Sequence, residues 1–82
     1  MVISATLHDP RVAGVQVTDA ALIVELRDGR EIKVPLAWFP RLVAASAEER
    51  AVWEPSAAGH GIHWPLIDED LSVAGLLKGQ SA

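Results

Sequence analysis

The stretch G-H-G-I-H-W-P-L-I-D-E-D, residues 59–70, decides the fold of this 82-residue chain. It holds two glycines, two histidines, a tryptophan, a proline and three acids, a density of special residue types found nowhere else in the sequence. Residues 62–64 are long enough for one short strand, and Pro65 ends it because proline has no N–H for a strand ladder. We therefore expect Trp64 to lie at the centre of the fold, with the glycines and the proline shaping the backbone around it.

The C-terminal side of this stretch predicts a last short helix over residues 72–78. The acids come just before it, where the helix dipole favours negative charge, and Gly79 suits the residue after its end. Capping or an approach turn therefore explains the acids better than paired carboxylates for catalysis. Residues 80–82 are expected to be a disordered tail.

The N-terminal side alternates between apolar and polar residues, which is typical of half-buried strands. The period of two begins at Val12 and predicts two strands, over residues 12–18 and 22–27, joined at Asp19-Ala20. Asp28-Gly29 then predicts a two-residue type I′ turn, because this turn requires φ > 0 at both positions. The returning strand covers residues 31–35 with Ile32 and Val34 on one face, and residues 2–7 predict a short leading strand.

A helical period replaces the strand period between residues 35 and 53. Trp38, Leu42 and Ala45 recur at helical spacing, which predicts an amphipathic helix starting near Phe39. Ser46 and Glu49 have the spacing of a capping box, which predicts a second short helix over residues 47–53. Residues 54–61 are predicted to be a loop.

Together these patterns predict a single α+β domain over residues 1–79. It consists of a mostly antiparallel sheet of three or four strands, covered on one face by two or three short helices. The three tryptophans and Phe39 are expected to be the largest pieces of its core. Cysteine is absent, so no disulfide stabilises it.

The balance of charged residues indicates which kinds of partner the protein can bind. The formal net charge is −4, and seven basic residues are scattered among eleven acids. Nucleic-acid binding needs clustered Lys and Arg, so direct contact with DNA or RNA is not expected. A basic protein is a suitable partner instead. We also expect a cytoplasmic protein with no membrane contact, because no apolar run approaches the length of a signal peptide or a membrane span.

Few patterns point to chemistry. The serines lie in no G-x-S-x-G setting, and Gly59-His60-Gly61 lacks the further residues of nucleotide-binding motifs. We therefore expect neither an enzyme nor a cofactor. His60, His63 and Asp68 carry the types of donor atom that bind zinc or iron. Metal or small-ligand binding there is an alternative, although side chains three apart on a strand point to opposite faces.

Three segments of the sequence resemble a family of short prokaryotic proteins classed as a domain of unknown function. They are D-G-R-E-I-K-V-P-L (residues 28–36), P-R-L-x-x-A-S-x-E-E-R (residues 40–50) and G-I-H-W-P-L-I-D-E-D-L-S-V-x-G-L-L (residues 61–77). The resemblance implies a compact α+β domain. It also implies relatives that occur alone, fused to helix-turn-helix domains, or encoded beside a small partner protein in arrangements resembling toxin–antitoxin modules.

The first hypothesis is accordingly a non-enzymatic interaction module, an antitoxin-like or regulatory partner of a small basic protein. In this hypothesis Asp68 and Glu69 meet cations on the partner, and His63 orients the turn. A structural homodimer, in which a sheet edge or an exposed tryptophan pairs with its own copy, is a further alternative. The candidate partner-binding residues are His63, Trp64, Asp68, Glu69 and Asp70.

Overall fold

The computed structural model of the protein describes residues 8–79. The predicted leading strand at residues 2–7 and the predicted tail at residues 80–82 lie outside this range. Within it the strands are β1 Val12–Val17, β2 Ala21–Leu26, β3 Glu31–Pro35, β4 Glu54–Ser56, β5 Gly61–Trp64 and β6 Glu69–Ser72. The α-helices are α1 Pro40–Ala44, α2 Ala47–Ala51 and α3 Val73–Leu77, and 3₁₀ turns occupy Leu36–Trp38 and Ala57–Gly59.

The strands form two antiparallel three-stranded sheets. The first has the order β1-β2-β3 and the second the order β4-β5-β6. The α+β prediction is confirmed, but the strands divide between two sheets instead of forming one. The reason is that β4, predicted as loop, and β6, predicted as the approach to a helix, pair with the two sides of β5.

The first sheet buries one face, as its alternation predicts. Leu22 lies opposite Val34 and Val24 lies opposite Ile32, and all four side chains are buried. The turn between β2 and β3 differs from the prediction. Gly29 has φ +93° but Asp28 does not have a positive φ, and the Gly29 N–H donates to the carbonyl of Leu26 at 3.0 Å.

This geometry is a type I turn followed by a glycine bulge, so the prediction of a type I′ turn is wrong. The physical reason is the Asp28 side chain. Its carboxylate accepts the backbone N–H of Arg30 at 3.1 Å, which favours the local turn conformation seen at Asp28.

The helices begin where the sequence predicts. Pro40 occupies the first turn of α1, and Ser46 caps α2 through a complete capping box with Glu49. The helix α2 ends at Ala51, two residues earlier than predicted, because the chain is extended at Val52 before it enters β4. In the part of the chain that the structure describes, no helix is long and apolar enough to cross a membrane.

The helix α3 is capped differently from the prediction. The Ser72 hydroxyl accepts the N–H of Gly75 at 2.9 Å, and the first turn of α3 contains no acid. Of the two explanations left open for the acids, capping and an approach turn, capping is wrong for Glu69 and Asp70, which belong to β6. Gly79 follows the helix with φ +76°, as expected.

A single core lies between the two sheets and the helices. Trp64 and Phe39 are its largest fully buried side chains, whereas Trp38 and Trp53 are only partly buried against it. The buried apolar residues are Val12, Leu22, Val24, Leu26, Ile32, Val34, Leu36, Phe39, Leu42, Ile62, Trp64, Val73 and Leu76. Both sheets contribute to this core, so the second sheet holds its turns in a fixed position relative to the first.

Candidate functional site

The turn between β5 and β6, together with the first two residues of β6, carries three of the five predicted partner-binding residues. We call residues 65–70 the acidic turn. Trp64 and Glu69 lie opposite each other at its base, and the Ile67 N–H donates to the Trp64 carbonyl at 3.4 Å. Asp68 has φ +51°, a left-handed conformation that Asp tolerates better than most residues. The turn is thus a tight connection between paired strands.

Trp64 anchors the acidic turn from inside the fold. Its side chain is fully buried, and its indole Nε1–H donates to the carbonyl of Arg50 at 3.1 Å. Buried tryptophan normally needs such a partner for its N–H. The ring therefore has no exposed surface for a partner, and the role that the structure gives Trp64 is to position the turn above it.

His63 and Asp70 link the two strands on the outer face of the second sheet. They lie directly opposite each other, and His63 Nδ1 is 2.9 Å from Asp70 Oδ1. The Asp70 side chain remains 65% exposed, whereas that of His63 is 26% exposed. The pair adds a side-chain contact to the ladder at the base of the turn and leaves most of the Asp70 carboxylate in solvent.

Arg41 approaches the acidic turn from α1. Its Nη1 donates to the carbonyl of Asp68 at 2.5 Å. Arg41 remains exposed while it makes this contact. Arg41 and Pro40 line a shallow depression of about 470 Å³ together with Asp68, Glu69 and Asp70. Three carboxylates thus share this surface with one guanidinium, which leaves it negative.

The two remaining acids differ in their surroundings. Asp68 is exposed, whereas Glu69 is partly buried and its Oε1 accepts the N–H of Asp70 at 3.1 Å. Leu66, which sequence reasoning did not single out, is 57% exposed near the start of the same turn. In the sequence, Leu66 is an apolar residue between Pro65 and the acids, and it belongs to no predicted strand or helix. That position is the signal that could have identified Leu66 as exposed.

The metal hypothesis finds no matching geometry. His60 is exposed and precedes β5, and His63 Nδ1 is already paired with Asp70. Across residues 8–79, no three His, Cys, Asp or Glu side chains converge in a way that could hold a metal ion. The structure therefore does not bring His60, His63 and Asp68 together.

The carboxylates with lowered pKa values belong to another part of the molecule. Both oxygens of Asp9 accept hydrogen bonds from Arg11, from Nε and Nη2 at 2.8 Å, and these bonds lower the pKa of Asp9 to about 2. The hydrogen bond from Arg30 likewise lowers the pKa of Asp28. The Asp9 N–H also donates to Asp28 Oδ2 at 3.1 Å, so these groups join the start of β1 to the β2–β3 turn.

Comparison with known proteins identifies the family. The model of the family described as "Protein of unknown function (DUF2442)" matches residues 12–82. The chain belongs to the DUF2442 family. The resemblance to a domain of unknown function is thereby confirmed, whereas the signature motif and the gene arrangements of relatives stay predictions. No curated protein matches the sequence.

Two solved structures share the DUF2442 chain's architecture. A crystal structure of a protein of unknown function from Rhodospirillum rubrum is 31% identical, with a TM-score of 0.77 over 92% of this chain and 93% of that one. A solution NMR structure of an uncharacterized protein from Chromobacterium violaceum is 26% identical, with a TM-score of 0.75 over 88% of this chain and 68% of that one. One is described as a protein of unknown function and the other as uncharacterized, so neither comparison assigns an activity.

Proposed function

We propose that this DUF2442 domain is a non-enzymatic interaction module that presents the acidic turn to a small basic protein. One observation carries the proposal. The exposed side chain of Leu66 stands between Pro65 and the exposed carboxylates of Asp68 and Asp70, on a turn that the fold holds in place. A partner would meet an apolar side chain on the same turn as these exposed carboxylates.

The turn is held from three directions. Below it, the buried indole of Trp64 is bonded to the Arg50 carbonyl. Beside it, Arg41 holds the carbonyl of Asp68, and across the strands His63 holds Asp70. Preorganisation of this kind supports binding because less conformational entropy is lost when the partner docks.

The chemistry of the turn selects the kind of partner. Exposed carboxylates steer a basic surface toward the turn and oppose an acidic one, and their effect weakens as salt rises. Leu66 would supply the apolar contact, which contributes more to affinity than exposed charges when it is buried in a pocket. An antitoxin-like or regulatory action on that partner is the finer part of the proposal, and it is supported by the net charge of −4.

The first experiment is a co-purification from the source organism, followed by titration of the recovered protein. Three forms of the protein are compared: the wild-type chain, a turn variant and a surface control. The turn variant carries Asp68→Asn, Glu69→Gln and Asp70→Asn, which keep the hydrogen-bond acceptors. The control carries Glu25→Gln, Glu31→Gln and Glu48→Gln, all at exposed positions outside the turn.

We expect a basic protein to be recovered and the turn variant to bind it about 3- to 100-fold more weakly. This range follows because each exposed ion pair contributes about 0.2–1 kcal/mol and about 1.4 kcal/mol is a tenfold change in affinity. The control should bind like wild type. Recovery of the chain without any partner, or equal weakening in both variants, would contradict the proposal.

Leu66→Ala tests the apolar contact separately. We expect it to weaken binding of the recovered protein about tenfold or more, because burying a leucine side chain contributes about 1.5–3 kcal/mol. Leu77→Ala is the matched control, since Leu77 is 47% exposed on α3 and lies outside the turn. Both variants should melt near the wild-type temperature. Equal affinities for the two variants would remove Leu66 from the binding surface.

A further inference from the structure

Asp28-Gly29, at the tip of the β2–β3 hairpin, is the only Asp-Gly sequence in the chain. In such a sequence the glycine nitrogen can attack the side-chain carboxyl carbon of the aspartic acid. An N–C bond forms, and the amide proton leaves with the carboxyl hydroxyl as water, which gives a succinimide ring. Glycine favours this step because it has no side chain to hinder the approach. Water then opens the ring to aspartate or to isoaspartate, in which the backbone runs through the side-chain methylene.

The carboxylate of Asp28 is buried and hydrogen-bonded on both oxygens. Its side chain is only 5% exposed, although it lies at a hairpin tip. Oδ1 accepts the backbone N–H of Arg30 at 3.1 Å, and Oδ2 accepts the backbone N–H of Asp9 at 3.1 Å. The Arg30 guanidinium also donates to Oδ2, from Nε at 3.0 Å and from Nη2 at 2.9 Å. We call the Arg30 N–H, the Arg30 guanidinium and the Asp9 N–H the Asp28 clamp.

The Asp28 clamp opposes what ring closure requires. Closure needs the protonated acid, because a carboxylate has no hydroxyl to release, and the hydrogen bond from the Arg30 side chain lowers the pKa of Asp28. Closure also needs the carboxyl group to turn toward the Gly29 nitrogen, which breaks bonds of the clamp. The Gly29 N–H meanwhile donates to the Leu26 carbonyl at 3.0 Å. Both reacting groups are therefore held in other hydrogen bonds.

The backbone around Asp28 leaves little room for the product. The Asp28 N–H donates to the Asp9 carbonyl at 3.2 Å, so residues 9 and 28 exchange hydrogen bonds in both directions. An isoaspartate at residue 28 would insert a methylene into the backbone between these bonds and Gly29. The bonds to Asp9 and the glycine bulge could not both be kept. Isomerisation would therefore release the start of β1 from the β2–β3 turn.

We propose that Asp28-Gly29 is a latent isomerisation site, which the Asp28 clamp holds inactive in the folded chain and which reacts when the clamp opens. The reaction consumes no oxidant or cofactor, since water is released in the first step and taken up in the second. It marks chains in which the tip of the first sheet has been open. No residue of the acidic turn takes part, so this site is independent of the proposed binding function.

The first test compares the folded chain with the same chain unfolded in guanidinium chloride at neutral pH. Peptide mapping measures isoaspartate at residue 28, and uptake of ¹⁸O from labelled water identifies the succinimide route. We expect the folded chain to isomerise about tenfold or more slowly, because hydrogen bonds to a charged group must break before the ring closes. Equal rates in the two states, or no isoaspartate at residue 28 in the unfolded chain, would overturn the proposal.

Arg30→Gln tests the clamp within the folded protein, with Arg27→Gln as the matched control. Both variants remove one guanidinium beside the turn, but only Arg30 bonds to the Asp28 carboxylate. We expect Arg30→Gln to isomerise about threefold or more faster than wild type, because it loses these charged hydrogen bonds, and Arg27→Gln to match wild type. Urea unfolding of both variants separates opening of the turn from global unfolding. Equal isomerisation rates in the two folded variants would overturn the role of the clamp.

Discussion

At the scale of single residues, Trp64 shows what a sequence can and cannot predict. Its place beside a strand-ending proline predicted a central position, and it is the largest fully buried side chain. Its hydrogen bond to the Arg50 carbonyl was not predictable, because the two residues are 14 positions apart and belong to different elements. The hydrogen bond from Arg41 to the Asp68 carbonyl was not predictable either, because these residues are 27 positions apart.

Trp64→Phe should lower the free energy of unfolding by about 1–3 kcal/mol. The phenyl ring keeps much of the apolar contact but loses the hydrogen bond and leaves the Arg50 carbonyl without that donor. Urea unfolding followed by circular dichroism measures the change. Trp53→Phe, at a partly buried position, should cost less than about 1 kcal/mol. A larger loss at Trp53 than at Trp64 would contradict the anchoring role.

Asp9 predicts how stability responds to acid. Its pKa is lowered from 3.8 to about 2 in the fold, so its ionised form stabilises the fold above pH 3.8. That contribution is lost as the pH falls toward about 2. We expect Asp9→Asn to be less stable than wild type at pH 7, with the difference closing between pH 3.8 and about 2. Unfolding curves that stay equally far apart across this range would contradict the Asp9–Arg11 assignment.

At the scale of elements, local patterns predicted most of the first half of the chain. The alternation in β2 and β3, the proline at the start of α1 and the capping box of α2 each rest on neighbouring residues. The strand β6 was missed although it is readable. Glu69, Leu71 and Val73 are more buried than Asp70 and Ser72, a period of two that the run of acids disguised.

The residue that caps α3 distinguishes two interpretations of residues 68–72, in which the cap is either Ser72 or one of the acids. Ser72→Ala should lower the free energy of unfolding by about 1 kcal/mol, because the hydroxyl accepts the Gly75 N–H. Asp70→Asn should change it by less than about 0.5 kcal/mol, since Asp70 is an exposed strand residue. Urea unfolding of both variants at neutral pH is the measurement. A larger effect at Asp70 than at Ser72 would restore the acids as the helix cap.

At the scale of the whole molecule, the class of fold was predictable and the pairing of strands was not. The strand β4 has three residues and is defined by its pairing with β5 and not by its own pattern. The pairing of β6 with the other side of β5 was not predicted either. The residues of the acidic turn were likewise predicted only in part. Residue types identified Asp68, Glu69 and Asp70, but only the folded structure shows Leu66 exposed beside them and Trp64 withdrawn into the core.

Amide chemical-shift mapping of the ¹⁵N-labelled domain, titrated with the protein that co-purifies from its source, tests the central claim most directly. The acidic turn is exposed at Leu66 and fixed at its base, so binding should perturb a small and contiguous set of amides. The largest changes are expected at residues 66–70, and neutralising the three acids should shift them to higher concentrations of the partner. Changes concentrated on β1 or β3, with the turn unperturbed, would contradict the assignment of the acidic turn as the binding surface.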